Sequence, residues 1–219
     1  MKRMFEEIIE KIRQKLDVDD DVRENSLKNT RKSVRLCQEA VASIQRDDFE
    51  AARKNLDECA RMLQDFDQSL RTECPEIYYK GNIMTMQQEY VEAALLLALV
   101  EGKTEIQGPE ALNVSVYAYL GGLGDTVGEL RRYSLKAIRQ ERFEQAETCL
   151  KLMEELYDLL HTLDYPEGLL PGLRRKVDVA RSLIEKTRTD LTYFQHGKDL
   201  VNKMNNLIER LDKFELKKE

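Results

Sequence analysis

Residues 81–100 (GNIMTMQQEYVEAALLLALV) and 111–130 (ALNVSVYAYLGGLGDTVGEL) have shed nearly every charge except carboxylates, in a chain that is 35% charged overall. The first window keeps only Glu89 and Glu92, the second only Asp125 and Glu129. Segments this apolar belong in a core, and burying a carboxylate there costs several kcal/mol unless a positive charge compensates it. Neither window carries a lysine or arginine of its own. Glu89 and Glu92 stand three apart and Asp125 and Glu129 four apart, so on helices each pair shares one face. With 41 acids in 219 residues such spacings also arise by accident, so the apolar setting carries the argument.

Two readings follow. In the first, the four acids reach solvent or pair with Lys and Arg from distant segments. In the second they gather around a hard divalent cation, since all-oxygen ligation suits magnesium or manganese, and metal-bound water attacks a phosphodiester. A di-iron carboxylate bundle would need Glu-x-x-His motifs. The chain has two histidines, and His161 and His196 each lack a glutamate three residues before them.

Four prolines, no tryptophan and abundant Leu, Ala, Glu, Lys and Arg specify an all-α chain. Its length fits one domain over residues 1–219. Periodicity predicts a short helix at Phe5 to Leu16, interrupted by the acid run from Asp17 to Asp21, then helices over about 22–44, from about 49 to near Cys74-Pro75, and over about 78–99, 111–140 and 142–163. A long last helix begins near Pro171, with a candidate break at Gly197. Asp47 or Asp48 can cap the helix at 49, and the helices on either side should form an antiparallel hairpin. The segments DDFEAARKNLDECARML and ERFEQAETCLKLMEELYDLL look alike, although their spacing of about 95 residues does not suit a stacked repeat array. Four glycines at 121, 122, 124 and 128 lack the strand and Lys-Ser/Thr context of a P-loop. They point instead to close contact of the Asp125 helix with a neighbour, the Glu89 helix being the candidate.

The longest wholly apolar run, Ala93 to Val100, is far too short to cross a bilayer, and the start MKRMFEEIIEK has acids where a signal peptide needs an apolar stretch. A cytoplasmic protein is expected, with no membrane partner. Cys37, Cys59, Cys74 and Cys149 have no close spacing, so they read as reduced thiols rather than zinc ligands or disulfides. A net charge of −6 disfavours general affinity for polyanions. It leaves room for local basic surfaces: Lys28, Arg31, Lys32 and Arg35 form one helical stripe, and Arg131, Arg132 and Lys136 follow the second acidic pair.

The segments Gln88-Glu89-Tyr90-Val91-Glu92-Ala93 and Tyr119-Leu120-Gly121-Gly122-Leu123-Gly124-Asp125-Thr126-Val127-Gly128-Glu129-Leu130-Arg131-Arg132 resemble the QEYxEA and DYLxGVxDLTGELMR signatures of the translin family, in the form found in its TRAX (translin-associated factor X) branch. The resemblance covers about residues 78–133. It implies a seven-helix antiparallel bundle with a long C-terminal helix and a hollow shell of about eight chains, an octamer, for which a homo-oligomer is the expectation. It also implies Mg²⁺-dependent endonuclease cleavage of single-stranded or imperfectly paired RNA. Carried over by position, Glu89, Glu92, Asp125 and Glu129 match the family's catalytic, metal-holding acids. Translin-type subunits lack the glutamates and bind RNA or single-stranded DNA without cutting. This chain also departs from translin-type subunits: the basic HEHWRF-like segment is here Tyr79-Lys80-Gly81-Asn82-Ile83-Met84. RNA contact then falls to the two basic stretches named above. The alternatives are a non-catalytic RNA-binding or DNA-binding subunit and a helical protein scaffold.

Overall fold

A computed structural model describes residues 2–73 and 82–215. The described residues form six α-helices and no strand: α1 (Lys2–Ile44), α2 (Phe49–Glu73), α3 (Asn82–Val100), α4 (Val116–Arg139), α5 (Phe143–His161) and α6 (Leu173–Glu215). The all-α expectation holds. The expected helix start at Tyr78, the Cys74-Pro75 stop and the segment Tyr79 to Gly81 lie outside the described residues. None of the described helices is long and apolar enough to cross a membrane.

Two expected interruptions do not occur. α1 runs unbroken through Asp17 to Asp21, and α6 runs unbroken through Gly197. Each aspartate costs a helix only a few tenths of a kcal/mol, and Asp17, Asp20 and Asp21 are exposed, with Arg23 reaching Asp20 at 3.4 Å one turn away. Carboxylates on a solvated face add charge without stopping the helix.

The chain divides into two compact units. The first comprises Met1–Thr126 and Asp164–Lys176. In it α1, α2 and α3 pack on one another. Ser33 meets Met62 and Cys37 meets Cys59, so α1 and α2 form the expected antiparallel hairpin. Its core includes Leu36, Ala40, Ile44, Ala52, Leu56, Val91 and Leu96. The second unit comprises Val127–Leu163 and Val177–Glu219, with Leu130, Tyr133, Leu150, Met153, Leu160 and Ile184 in its core.

The two look-alike segments share a corner as well as a pattern. Asp47 ends α1 with a φ of 64°, and Glu141 ends α4 with a φ of 57°. In each, the next residue returns a hydrogen bond five residues back, Asp48 N to Ser43 O at 3.0 Å and Arg142 N to Ala137 O at 2.9 Å. This is a Schellman turn, usually built on glycine. Gly102 closes α3 in the same way, with Lys103 N bonded to Ala98 O at 3.0 Å. Asp48 also caps α2, its Oδ1 accepting from Ala51 N at 3.1 Å.

Candidate functional site

Two apolar windows that share carboxylates must be brought together by backbone before any chemistry is possible, and here glycine does it. A β-carbon on Gly122 would lie 2.6 Å from the Gln88 carbonyl oxygen and 2.7 Å from Val91 Cβ; one on Gly121 would lie 2.4 Å from Gln88 Oε1. The absence of these carbons lets α4 press directly on α3, as the glycine cluster suggested. The contact is fixed at its start: Gln87 Oε1 accepts from Ser115 N at 3.0 Å, and Ser115 Oγ caps α4 by accepting from Ala118 N at 3.1 Å.

Gly124 serves a different neighbour. A β-carbon there would come within 3.1 Å of Lys176 Cβ and Cδ, so the lysine stem lies along the bare backbone of α4. Its ammonium forms an ion pair with Asp125 Oδ1. Gln88 Nε2 donates to the other carboxylate oxygen at 2.8 Å. Asp125 is therefore gripped from both sides within the first unit, and a cavity of about 40 Å³, lined in part by Met84, Gln88, Gly121, Leu173 and Lys176, opens beside it. That is room enough for a water molecule or a small ion.

Glu89 and Glu92 stand on α3, both partly buried. The Glu89 carboxyl is held above the ordinary glutamate range, first by burial and then by the Asp125 carboxylate, with Lys176 opposing both. Glu89 on α3 and Asp125 on α4 thus feel one another across the glycine contact. Glu129 stands one turn beyond Asp125 on α4, in the second unit, with Arg132 at 3.7 Å. The positive charge missing from both windows comes from outside them, as Lys176 and Arg132. Lys176 and Gln88 were invisible to sequence reading as site residues; Lys176 lies 51 residues from its partner.

A divalent cation is the occupant that the acid pattern suggests. Among the described residues no three His, Cys, Asp or Glu side chains are gathered as a metal-binding group. The charge balance does fit one: Glu89 and Asp125 repel, and an ammonium already sits on Asp125 as a monovalent stand-in. The repulsion has a testable sign. Because the Glu89 pKa is raised in the folded state, its ionisation weakens the fold at neutral pH, and that penalty fades as pH falls through the raised value towards the ordinary one. In chelator, Glu89→Gln should melt at a higher temperature than the parent at pH 7, with the difference gone below about pH 4.

The basic candidates divide. Lys28, Arg31, Lys32 and Arg35 are exposed on α1, though Lys32 pairs with Glu58 and Arg35 with Glu39, each at 2.9 Å. Arg131 is turned inward, donating to Thr187 Oγ1 at 2.6 Å and to Asp190 at 3.0 Å. Its guanidinium serves the second unit's interior rather than an open surface. Arg132 is exposed, but the expected phosphate contact of Lys136 does not fit: its ammonium is buried, 5.0 Å from the centre of the Tyr133 ring.

Residues 5–193 match the translin family. The chain belongs to that family. Another similar protein is an uncharacterized protein of Methanocaldococcus jannaschii, 35% identical over 80% of this chain and 77% of its own length. Among solved structures, AfC3PO is similar with a TM-score of 0.78 and 33% identity, over 86% of this chain and 97% of that one. A complex of AfC3PO with duplex RNA gives a TM-score of 0.75 at 31% identity over the same shares. Apo-NeC3PO, at 24% identity and a TM-score of 0.76 over 85% of this chain and 96% of that one, shares the fold. The translin-family likeness spans both units, well beyond the segments that carry the sequence motifs.

Proposed function

We propose that this translin-family chain is a TRAX-like, Mg²⁺-dependent endoribonuclease that works in the cytoplasm as a homo-oligomeric, octameric shell. The observation that carries this reading is the meeting of Glu89 and Asp125 across the Gly121-Gly122 contact, at positions matching the branch's catalytic acids. Glu89, Glu92, Asp125 and Glu129 would hold Mg²⁺ or Mn²⁺. The cation would supply an activated water and neutralise charge on the phosphate. The chain's own part is to keep the acids apart from bulk solvent and to place Lys176 where it balances them until the cation arrives. RNA as substrate is supported by the AfC3PO complex with duplex RNA, which widens the expected substrate beyond single strands. The exposed stripe from Lys28 to Arg35 is one surface offered to phosphates, and the exposed Arg132 is a separate contact.

Assembly has support in the surface. Phe5, Ile8, Ile9, Ile12 and Leu16 on α1 are each 46–59% exposed, and Leu200, Val201, Met204, Leu207 and Ile208 on α6 are 53–60% exposed. Contiguous apolar stripes of this length mark surfaces that another chain covers.

One observation favours a second reading, a translin-like subunit that binds RNA or single-stranded DNA without cutting it. Asp125 is held by Lys176 and Glu129 lies beside Arg132, so protein counter-ions already meet these acids. Labelled RNA, single-stranded and duplex, incubated with the protein in Mg²⁺ and then in chelator separates the two. Cutting that stops in chelator is expected; retention of RNA at low salt with no cutting in any metal would favour the second reading.

A further inference from the structure

Two cysteines that the proposed chemistry does not use face each other inside the first unit. Cys37 on α1 and Cys59 on α2 are 1% and 0% exposed, and their sulfur atoms lie 3.3 Å apart. They stand 22 residues apart in sequence, on the two arms of the α1–α2 hairpin. We infer that Cys37 and Cys59 are a dithiol site that closes to an intramolecular disulfide, with a low-molecular-weight disulfide of the glutathione class as oxidant. A disulfide bond is about 2 Å long, so closure asks the two sulfurs to approach by about 1.3 Å. Side-chain rotation within a packed hairpin can provide that.

One thiol attacks the oxidant and the other resolves the mixed disulfide. Cys59 Sγ lies 3.9 Å from the Ser33 carbonyl oxygen. Either sulfur can donate to the other across their contact, and burial resists ionisation of both thiols. Either thiol can lead, and in one order Cys59 is the attacking thiolate. It displaces one thiolate from the oxidant, leaving Cys59 in a mixed disulfide. Cys37 then gives its proton to a released thiolate and attacks Cys59 Sγ, expelling the second half of the oxidant. One S–S bond breaks and one forms; two electrons and both thiol protons leave with two reduced small thiols.

The site also adjoins α3. The Tyr90 hydroxyl, pushed up to about 12 chiefly by burial, is raised further by both cysteines, and Glu89 and Glu92 act on Cys37. A bridge here would pin α1 to α2 against the helix that carries the acids. The inference does not depend on the nuclease reading.

The test uses the full chain. Protein is unfolded in reductant and refolded in glutathione buffers of increasing oxidised fraction, so that burial does not limit access. Samples are then acid-quenched, alkylated under denaturing conditions and mapped by mass spectrometry. The expected result is a linked Cys37–Cys59 peptide with Cys74 and Cys149 alkylated, and a melting temperature raised by roughly 5–10 °C over the reduced form. Both effects should vanish in Cys59→Ser and in Cys37→Ser. Helical protein with all four cysteines alkylated at every ratio, a glutathione adduct that never closes, or a bridge between other cysteines would overturn the inference. Native protein held in oxidised glutathione and sampled over time gives the same readout if refolding is incomplete.

Discussion

Asp125→Asn is expected to lower chelator-sensitive RNA cleavage by at least about 100-fold, because even outer partners of metal ligands cost 10–100-fold when lost. The amide keeps the size of the carboxylate and can still accept from Gln88 Nε2, now at 2.8 Å. What disappears is the negative charge. Lys176 loses its partner, but its side chain is 25% exposed and can turn to water, so the fold should lose no more than about 1 kcal/mol. Circular dichroism and melting curves beside initial rates separate a lost site from a lost fold. Lys176→Met sharpens the result. Removing the ammonium that competes for Asp125 should lower the Mg²⁺ concentration giving half-maximal cleavage. If Lys176→Met abolishes cutting as Asp125→Asn does, at every Mg²⁺ concentration, the ion pair itself is the working element and the cation reading fails.

Gly122→Ala is expected to cost about 3 kcal/mol, the upper part of the usual range for overpacking, and to lower the melting temperature by roughly 6–12 °C. The added carbon would meet backbone, the Gln88 carbonyl at 2.6 Å, and the β-carbon of a β-branched residue, Val91 at 2.7 Å. Neither can swing aside; α3 and α4 must separate. Gly128→Ala makes the matching control six residues on. The nearest atom to a β-carbon there is Leu183 Cδ1 at 4.0 Å, and alanine favours helix over glycine by about 1 kcal/mol. The two substitutions should therefore move stability in opposite directions in urea titrations. Similar losses at both positions would mean that the close contact of α3 with α4 is not where this geometry places it.

The contrast between these glycines shows how much of the site could be read beforehand. Four glycines in a helical stretch announce a close neighbour, and two of them do meet the Glu89 helix as expected. That Gly124 accommodates Lys176 could not be read, because Arg174-Arg175-Lys176 looks like any solvated basic triplet. Only the fold turns the third of these inward, next to Leu173 and Val177 on α6. The apolar setting of the acids was legible; the Lys176 partner of Asp125 was not, since pairing across 51 residues leaves no local trace. The helices were legible where apolar periodicity was strong. The break expected at Asp17 to Asp21 came from treating charge as a helix stop, when only its exposure mattered. The sharp corners at Asp47 and Glu141 escaped because that conformation normally advertises itself with glycine.

The uncovered apolar residues at the start of α1 and along the distal part of α6 bear on how any measurement on this chain should be set up. Greasy seams of this kind make a lone subunit prone to stick, and a fold that shields them through its copies draws part of its stability from mass action. Dilution would then behave as a mild denaturant, so protein concentration belongs beside temperature and salt among the fixed conditions of every comparison between variants.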